Sequence, residues 1–328
     1  MTTEVLWLAA REIDALGVSM TRIMDAVEAG FATLGRGEGD LPAKIGIHPR
    51  ENAFIHAMPC HLGGAVDRAG VKCVAAYPDN PARGLPCISG LMLLLDPATG
   101  LPLAVMDAAR LTAWRTGAAS GVYARHFGDP AATDAAMIGT GVQARTNLLA
   151  LREAFPRLAT VRCHNVREAS ARAFMNEMGP RLPGVALRFC ADPKDAVDGA
   201  DVVVTCTPMS EHPQRFIRGE WLTPDCLAIA VDYDAAFCAD AFKGAHFTCD
   251  NRNQYVRTRE LGVYFQGGYP GPADIDADLG EVCAGNARGV RHGRRGAVLM
   301  GIASHDVMAA DLIYRRALEA GVGTRVEL

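Results

Sequence analysis

Apolar residues recur at helical spacing over residues 20–34, where Ile23, Val27, Phe31 and Leu34 stand at i, i+4, i+8 and i+11 behind Ser19, a residue suited to cap the first turn. The spacing predicts an amphipathic helix. From residue 41 to 95 the period shortens. Apolar runs at 44–47, 53–58, 70–76 and 88–95 are punctuated by Pro, Gly and Asn, the pattern of strands joined by turns. The last run leads through Asp96-Pro-Ala-Thr-Gly100 into apolar residues 101–106, which predicts a β-hairpin. Asp107 then offers an N-cap to residues 108–127, which are Ala-rich and free of Pro, with Leu111, Trp114 and Ala118 on one stripe. A long helix is expected there.

After Gly128 and Pro130, where the main boundary is placed, the pattern alternates regularly. Residues 134–138 read as a strand, Gly139-Thr-Gly141 as a tight loop and residues 142–155 as a helix. Strand signals follow at 160–163, 185–189 and 201–206, separated by helical stretches at 168–178 and 193–197. The order βαβαβ predicts an α/β fold with a parallel sheet between helices. Residues 227–231 and 245–249 continue the strand signals, and residues 302–320 form a closing amphipathic helix that can pack back on the first part of the chain.

Composition narrows the class. The 328 residues suffice for about two domains. With 33 Lys+Arg against 37 Asp+Glu the net charge is -4, and basic residues are interspersed with acids, so no nucleic-acid footprint is visible. The one dense basic stretch, residues 288–295, is Gly-rich and reads as a loop. None of the ten cysteines forms a C-x-x-C pair, and Cys73, Cys163 and Cys206 fall inside apolar runs, as free thiols packed like small hydrophobes do. No apolar stretch has the length of a membrane span and residues 1–14 lack a secretory pattern, so a reduced, cytoplasmic setting is expected.

Gly139, Gly141 and Ala144 fit a dinucleotide loop: a glycine at the strand-to-helix turn, a second where backbone approaches a pyrophosphate, and a small residue where helix meets strand. The following helix would aim its free N–H groups at the phosphates. An NAD site usually carries Asp or Glu after the second strand to bind the ribose 2′-hydroxyl. Here that strand ends in His164-Asn-Val-Arg167, with no carboxylate before Glu168. Asn165 and Arg167, with His164 or Arg162 nearby, suit a 2′-phosphate, so the expected cofactor is NAD(P)H with a lean to NADP.

Seven stretches in this order resemble the ornithine cyclodeaminase/mu-crystallin family: Gly70-Val-Lys72, Tyr77-Pro-x-Asn80, Gly84-Leu-Pro86, Asp96-Pro-x-Thr-Gly100, Leu103-Ala-x-Met-Asp107, Leu111-Thr-Ala-x-Arg-Thr116 and Ile138-Gly-Thr-Gly-Val-Gln143. Asp278-Leu-Gly-Glu-Val-Cys-Ala-Gly285 matches the same pattern. The resemblance implies a central Rossmann-type dinucleotide-binding domain, here residues 128–304. It also implies an α+β substrate and dimerisation domain formed by both termini, residues 1–127 and 305–328. The implied chemistry is hydride transfer between a nicotinamide and a carbon that passes between amine and imine, on a small amino or imino acid, in a homodimer.

Carried over residue by residue, the resemblance makes Lys72 the active-site lysine and Arg115 a holder of substrate carboxylate or cofactor phosphate. It makes Asp234 the catalytic acid/base, with Asp232 as the alternative. Thr140, Val142 and Gln143 join the glycines at the cofactor, as do Thr205, Cys206, Thr207 and Ser89, the last against the nicotinamide. Lys44 stands where the family has a carboxylate-binding arginine. His56 stands where a cyclodeaminase has a glutamate, two residues before Met58-Pro59, so a substrate bearing a second ammonium is poorly served. Asp232-Tyr-Asp-Ala-Ala-Phe237 replaces Gly-x-Asp-x-Pro-Gly-Lys. Lys44, His56, Met58 and Arg115 are thus the candidate substrate residues, with loop side chains such as Tyr233, Tyr264 and Gln266 completing the pocket. The leading expectation is a C–N oxidoreductase. A cyclodeaminase that recycles its NAD internally and a non-catalytic NADPH-binding protein are the alternatives. His48, His56 and His61 lack the spacing of a metal site, and no metal is expected.

Overall fold

The computed structural model describes residues 4–209, 212–262, 265 and 268–328, so Tyr264 and Gln266 lie outside the described residues. Two sheets organise the chain. The first is mixed and comprises β1 (Glu4–Leu8), β2 (Gly39–Asp40), β3 (Ile45–Arg50), β4 (Ala53–Leu62), β5 (Arg68–Ala76), β6 (Ile88–Leu95), β7 (Pro102–Asp107) and β16 (Thr324–Glu327), in the order β16-β1-β7-β6-β5-β4-β2 with β3 on β4. The second is wholly parallel: β8 (Asp134–Ile138), β9 (Thr160–His164), β10 (Ala186–Phe189), β11 (Val202–Thr205), β12 (Leu227–Ala230), β13 (His246–Cys249), β14 (Ala277–Asp278) and β15 (Arg295–Val298).

The second sheet runs β10-β9-β8-β11-β12-β15-β13-β14, so the winding reverses between β8 and β11. In doubly wound sheets ligands bind beyond the carboxyl ends of the strands at such a reversal. This Rossmann-type domain and the mixed-sheet domain are joined by helix α3 (Ala108–Phe127), capped by the Asp107 carboxylate on Arg110 N at 2.6 Å. Helix α4 (Val142–Ala154) crosses α3 so closely that a Cβ on Gly117 would sit 2.4 Å from the Thr146 carbonyl carbon. Helix α9 (Ala303–Ala320) lies against the mixed sheet and shares a buried cluster with Met58, Val74, Met92 and Met106.

Several elements were not anticipated from the sequence, among them helices at Ala10–Ala15 and Arg252–Leu261 and the strands β1, β15 and β16. Strands β1 and β16 pair with each other antiparallel at the sheet edge, and β15 begins at Arg295, the last residue of the stretch read as a basic loop. Arg295 is 1% exposed, and its guanidinium donates to the carbonyls of Phe127, Arg291 and Asp225. It ties the end of α3 to the parallel sheet instead of meeting solvent.

Register across β4, β5 and β6 sorts side chains onto two faces. Met58, Lys72 and Met92 form one row, His56, Val74 and Gly90 the next, and Phe54, Ala76 and Ile88 a third, all on the face towards α3 and α9. Successive strand side chains alternate, so Cys73 and Leu91 lie on the opposite face, where both are exposed. Ile45 and Ile47 of β3, 70% and 62% exposed, and Trp7 of β1 add apolar surface on this sheet.

Candidate active site

Gly139 ends β8 with φ +87°, and a Cβ there would sit 2.5 Å from the Cys206 carbonyl oxygen. Only glycine meets both demands without strain. Its N–H donates to the His164 carbonyl at 2.9 Å, which fastens the loop to β9. Helix α4 starts at Gly141 with no side-chain cap, and nothing lies within 4 Å of a Cβ built there. The helix N-terminus therefore presents unsatisfied backbone donors to open space, the donor set a dinucleotide pyrophosphate needs. Beside it Asn165 Nδ2 donates to Thr140 Oγ1 at 2.9 Å and Asn165 Oδ1 accepts from Arg167 N at 2.9 Å. Arg162 bonds the Asp198 carbonyl and His164 Nδ1 lies 3.1 Å from the Cys190 carbonyl, so both are occupied elsewhere.

A cavity of about 850 Å³ runs from this loop to the three-strand wall. It is lined at one end by Gly139, Thr140, Gly141, Val142, Gln143, Asn165 and Arg167, along its side by Cys206 and Thr207, and at the other end by Lys44, His56, Met58 and Arg115. Four other candidates lie outside its lining. Lys72 is fully buried just beneath, with Nζ 3.2 Å from Oγ1 of Thr112, a lining residue. Thr205 is fully buried at the end of β11. Ser89 is exposed and pairs with Ala75, one step out of phase with the lining residue Ile88, so strand alternation turns it to the other face.

Asp234 is buried in an ion pair with Arg215 at 2.5 Å, while Asp232 lines the cavity. The residue between them, Tyr233, has φ +61°, a conformation rare outside glycine, and its hydroxyl meets Lys44 Nζ at 2.5 Å. Asp232 accepts from Thr205 Oγ1, from Thr207 Oγ1 and from Thr207 N at 2.9 Å. The carboxylate latches the end of β11 to the segment that follows β12.

At the far end three cations converge. Arg115 is 6% exposed and donates through Nε to Asp306 Oδ1 at 2.9 Å, its one hydrogen bond among the described residues. Lys72 Nζ reaches the same oxygen at 2.8 Å. Lys44 Nζ also donates to the Met300 carbonyl at 3.1 Å. Burial first, with Arg115 adding to it and nearby carboxylates opposing, brings the Lys72 ammonium down to about 7 and the Lys44 ammonium to about 8. Asp250, which accepts from Gly301 N at 2.6 Å, is raised to about 6 by burial. His56 stacks on Phe54 with ring centroids 4.0 Å apart, and burial, reinforced by the lysines, pulls it down to about 3. It is neutral at physiological pH.

Asp306, Asp250 and Thr112 were not singled out from the sequence. Asp306 carried one legible signal: it stands at helical spacing among the buried apolar residues Ile302, Ala309, Ala310 and Ile313. Among the described residues, the group with metal-ligand spacing is Glu28, His126 and Cys283, none of which lines the cavity.

The profile of the ornithine cyclodeaminase/mu-crystallin family matches residues 5–321. The chain belongs to that family. It is 33% identical to the alanine dehydrogenase of Archaeoglobus fulgidus over 99% of this chain and 98% of the relative. Its structure is similar to that of Thermococcus litoralis Δ1-pyrroline-2-carboxylate reductase in complex with NADH and L-proline, with TM-score 0.88 at 28% identity, covering 98% of this chain and all of the other. An archaeal alanine dehydrogenase dimer with bound NAD superimposes with TM-score 0.85 at 32% identity, covering 99% of each chain. Among the described residues, no helix is long and apolar enough to cross a membrane.

Proposed function

We propose that this protein is an NAD(P)H-dependent oxidoreductase that reduces the C=N bond of a small imino acid, or oxidises the matching amino acid. One observation carries the reading: a single cavity joins an uncapped helix N-terminus behind a glycine loop to the cations Arg115 and Lys44, with Lys72 buried just beneath them. The first end suits a pyrophosphate and the second a carboxylate. The bound nicotinamide supplies or accepts the hydride. Arg115 and Lys44 hold the substrate carboxylate. Lys72, buried beneath Thr112, polarises the reacting group and exchanges its proton with the substrate nitrogen through the Thr112 hydroxyl. Asp234 is paired with Arg215 and Asp232 with two threonines, so in this reading both carboxylates shape the loops around the reacting centre.

The domain division that accompanies the proposal is residues 128–304 for the cofactor and residues 1–127 with 305–328 for the substrate. Two copies pair through the exposed apolar face that carries Leu91, Ile45 and Ile47. Oxidation of NADPH by the purified protein, supplied with pyruvate and methylamine as an imine source, is the expected result. Release of ammonia from a diamino acid with no net change in NADPH absorbance would replace the reading with a lyase. Binding of NADPH without turnover across a panel of imino acids would replace it with a binding protein.

The preference for NADPH rests on the acid-free lip at Asn165 and Arg167. An exposed Arg–phosphate contact is worth about 1 kcal/mol, so Arg167→Ala should weaken NADPH about fivefold in a fluorescence titration and leave NADH unchanged. Equal weakening of both cofactors would remove the 2′-phosphate contact from the proposal.

A further inference from the structure

We infer that Asp306 is a positioning residue for this reaction, holding Lys72 and Arg115 through one carboxylate oxygen beneath the substrate carboxylate. The inference rests on the oxidoreductase reading above. Asp306 lies on α9, fully buried, 234 residues from Lys72 and 191 from Arg115 in sequence. Its Oδ1 accepts from both, at 2.8 and 2.9 Å, while Oδ2 is buried with no hydrogen-bond partner. A buried carboxylate oxygen without a partner is costly, so the arrangement needs the two cations to compensate it. It fixes their geometry in return. Arg115 donates through Nε, and this leaves both Nη atoms without a protein partner among the described residues. A fork oriented in that way is set to receive a second, incoming carboxylate.

Lys72 is faced by Arg115 and Thr112 from α3, Asp306 and His305 from α9, Lys44 ahead of β3 and His56 from β4. His56 and His305 are both kept neutral, by burial first and by these cations second. Asp306 is therefore the anion that opposes both desolvation and the like charges at Lys72. Without it the lysine loses its proton at lower pH.

The test compares Asp306→Asn with the wild type in two measurements: kcat/KM for imine reduction, and the Kd of pyruvate in the presence of NADP+, each from pH 5.5 to 9. Asparagine should raise KM and Kd at least about tenfold and move the alkaline fall of both profiles about one unit towards acid, while the Kd of NADPH changes less than about twofold. A parallel loss of kcat with the pH profile unmoved would assign Asp306 a merely structural part and overturn the inference. Asp306→Glu covers the case in which the neutral variant does not fold. It keeps the charge but displaces the cations, so the alkaline fall should stay in place while KM rises several-fold. A glutamate variant with the wild-type KM overturns the proposal as well. Wild-type turnover in the same assay reports separately on the oxidoreductase reading, because the pyruvate titration needs no turnover.

Discussion

Replacing Lys72 by methionine should lower kcat/KM about a thousandfold, the middle of the range for loss of a positioned proton donor, while the Kd of NADPH changes less than about twofold. Methionine keeps the unbranched length of the lysine stem and removes the ammonium that sits 2.8 Å from Asp306 and 3.2 Å from Thr112. Steady-state kinetics with a cofactor titration checks it. A variant with kcat intact would show that Lys72 only fills space. The wild-type pH profile gives an independent check, since activity that needs the protonated amine should fall as pH rises through about 7. Stability moves in the opposite direction. Between about 7 and the ordinary lysine value near 10.4 the unfolded chain binds a proton that the folded one lacks, so this group makes stability rise with pH across that window. In the Lys72→Met protein that slope should flatten.

The elements legible in the sequence are those whose signals are local. Residues 88–95, 108–127, 134–138 and 168–178 match β6, α3, β8 and helix α5 (Glu168–Met178) without adjustment, because a turn, an Asp cap, a glycine loop or a Gly-Pro stop marks their ends. The pairing of β1 with β16 joins Glu4 to Glu327, and β16 is exposed along its whole length, so no alternation announces it. The glycine loop was equally plain, since Gly139 and Gly141 follow a strand and open a helix.

The substrate end was legible only in part. Lys44, His56, Met58 and Arg115 reach the cavity, yet the carboxylates that govern the cations come from α9 and from the end of β13, far along the chain. What separates Asp232 from Asp234 is the left-handed turn at Tyr233. A strand that ran straight through residues 231–234 would turn both carboxylates to one face, and no residue type in Asp232-Tyr-Asp234 signals the break.

Gly301→Ala should disable the site as thoroughly as removal of Arg115, although Gly301 bears no functional group. Its φ is +74°, and a Cβ there would lie 2.0 Å from Arg115 Nη1 and 2.8 Å from Cζ. Since the guanidinium is flexible and the backbone is not, the clash moves Arg115. The Nε bond to Asp306 and the aim of the fork at the substrate carboxylate are then lost together. Left-handed backbone adds a cost of about 1–2 kcal/mol for alanine, which should lower Tm by a few degrees without unfolding the protein. The substrate KM should rise about a hundredfold, in line with about 3 kcal/mol for a lost charge-assisted bond, while NADPH affinity stays within about twofold. Kinetics of Gly301→Ala beside Arg115→Ala, and of the double variant, decide the matter. If glycine acts by making room for the fork, the double variant is no worse than Arg115→Ala alone; additive losses would place the role of Gly301 in its hydrogen bond to Asp250 instead.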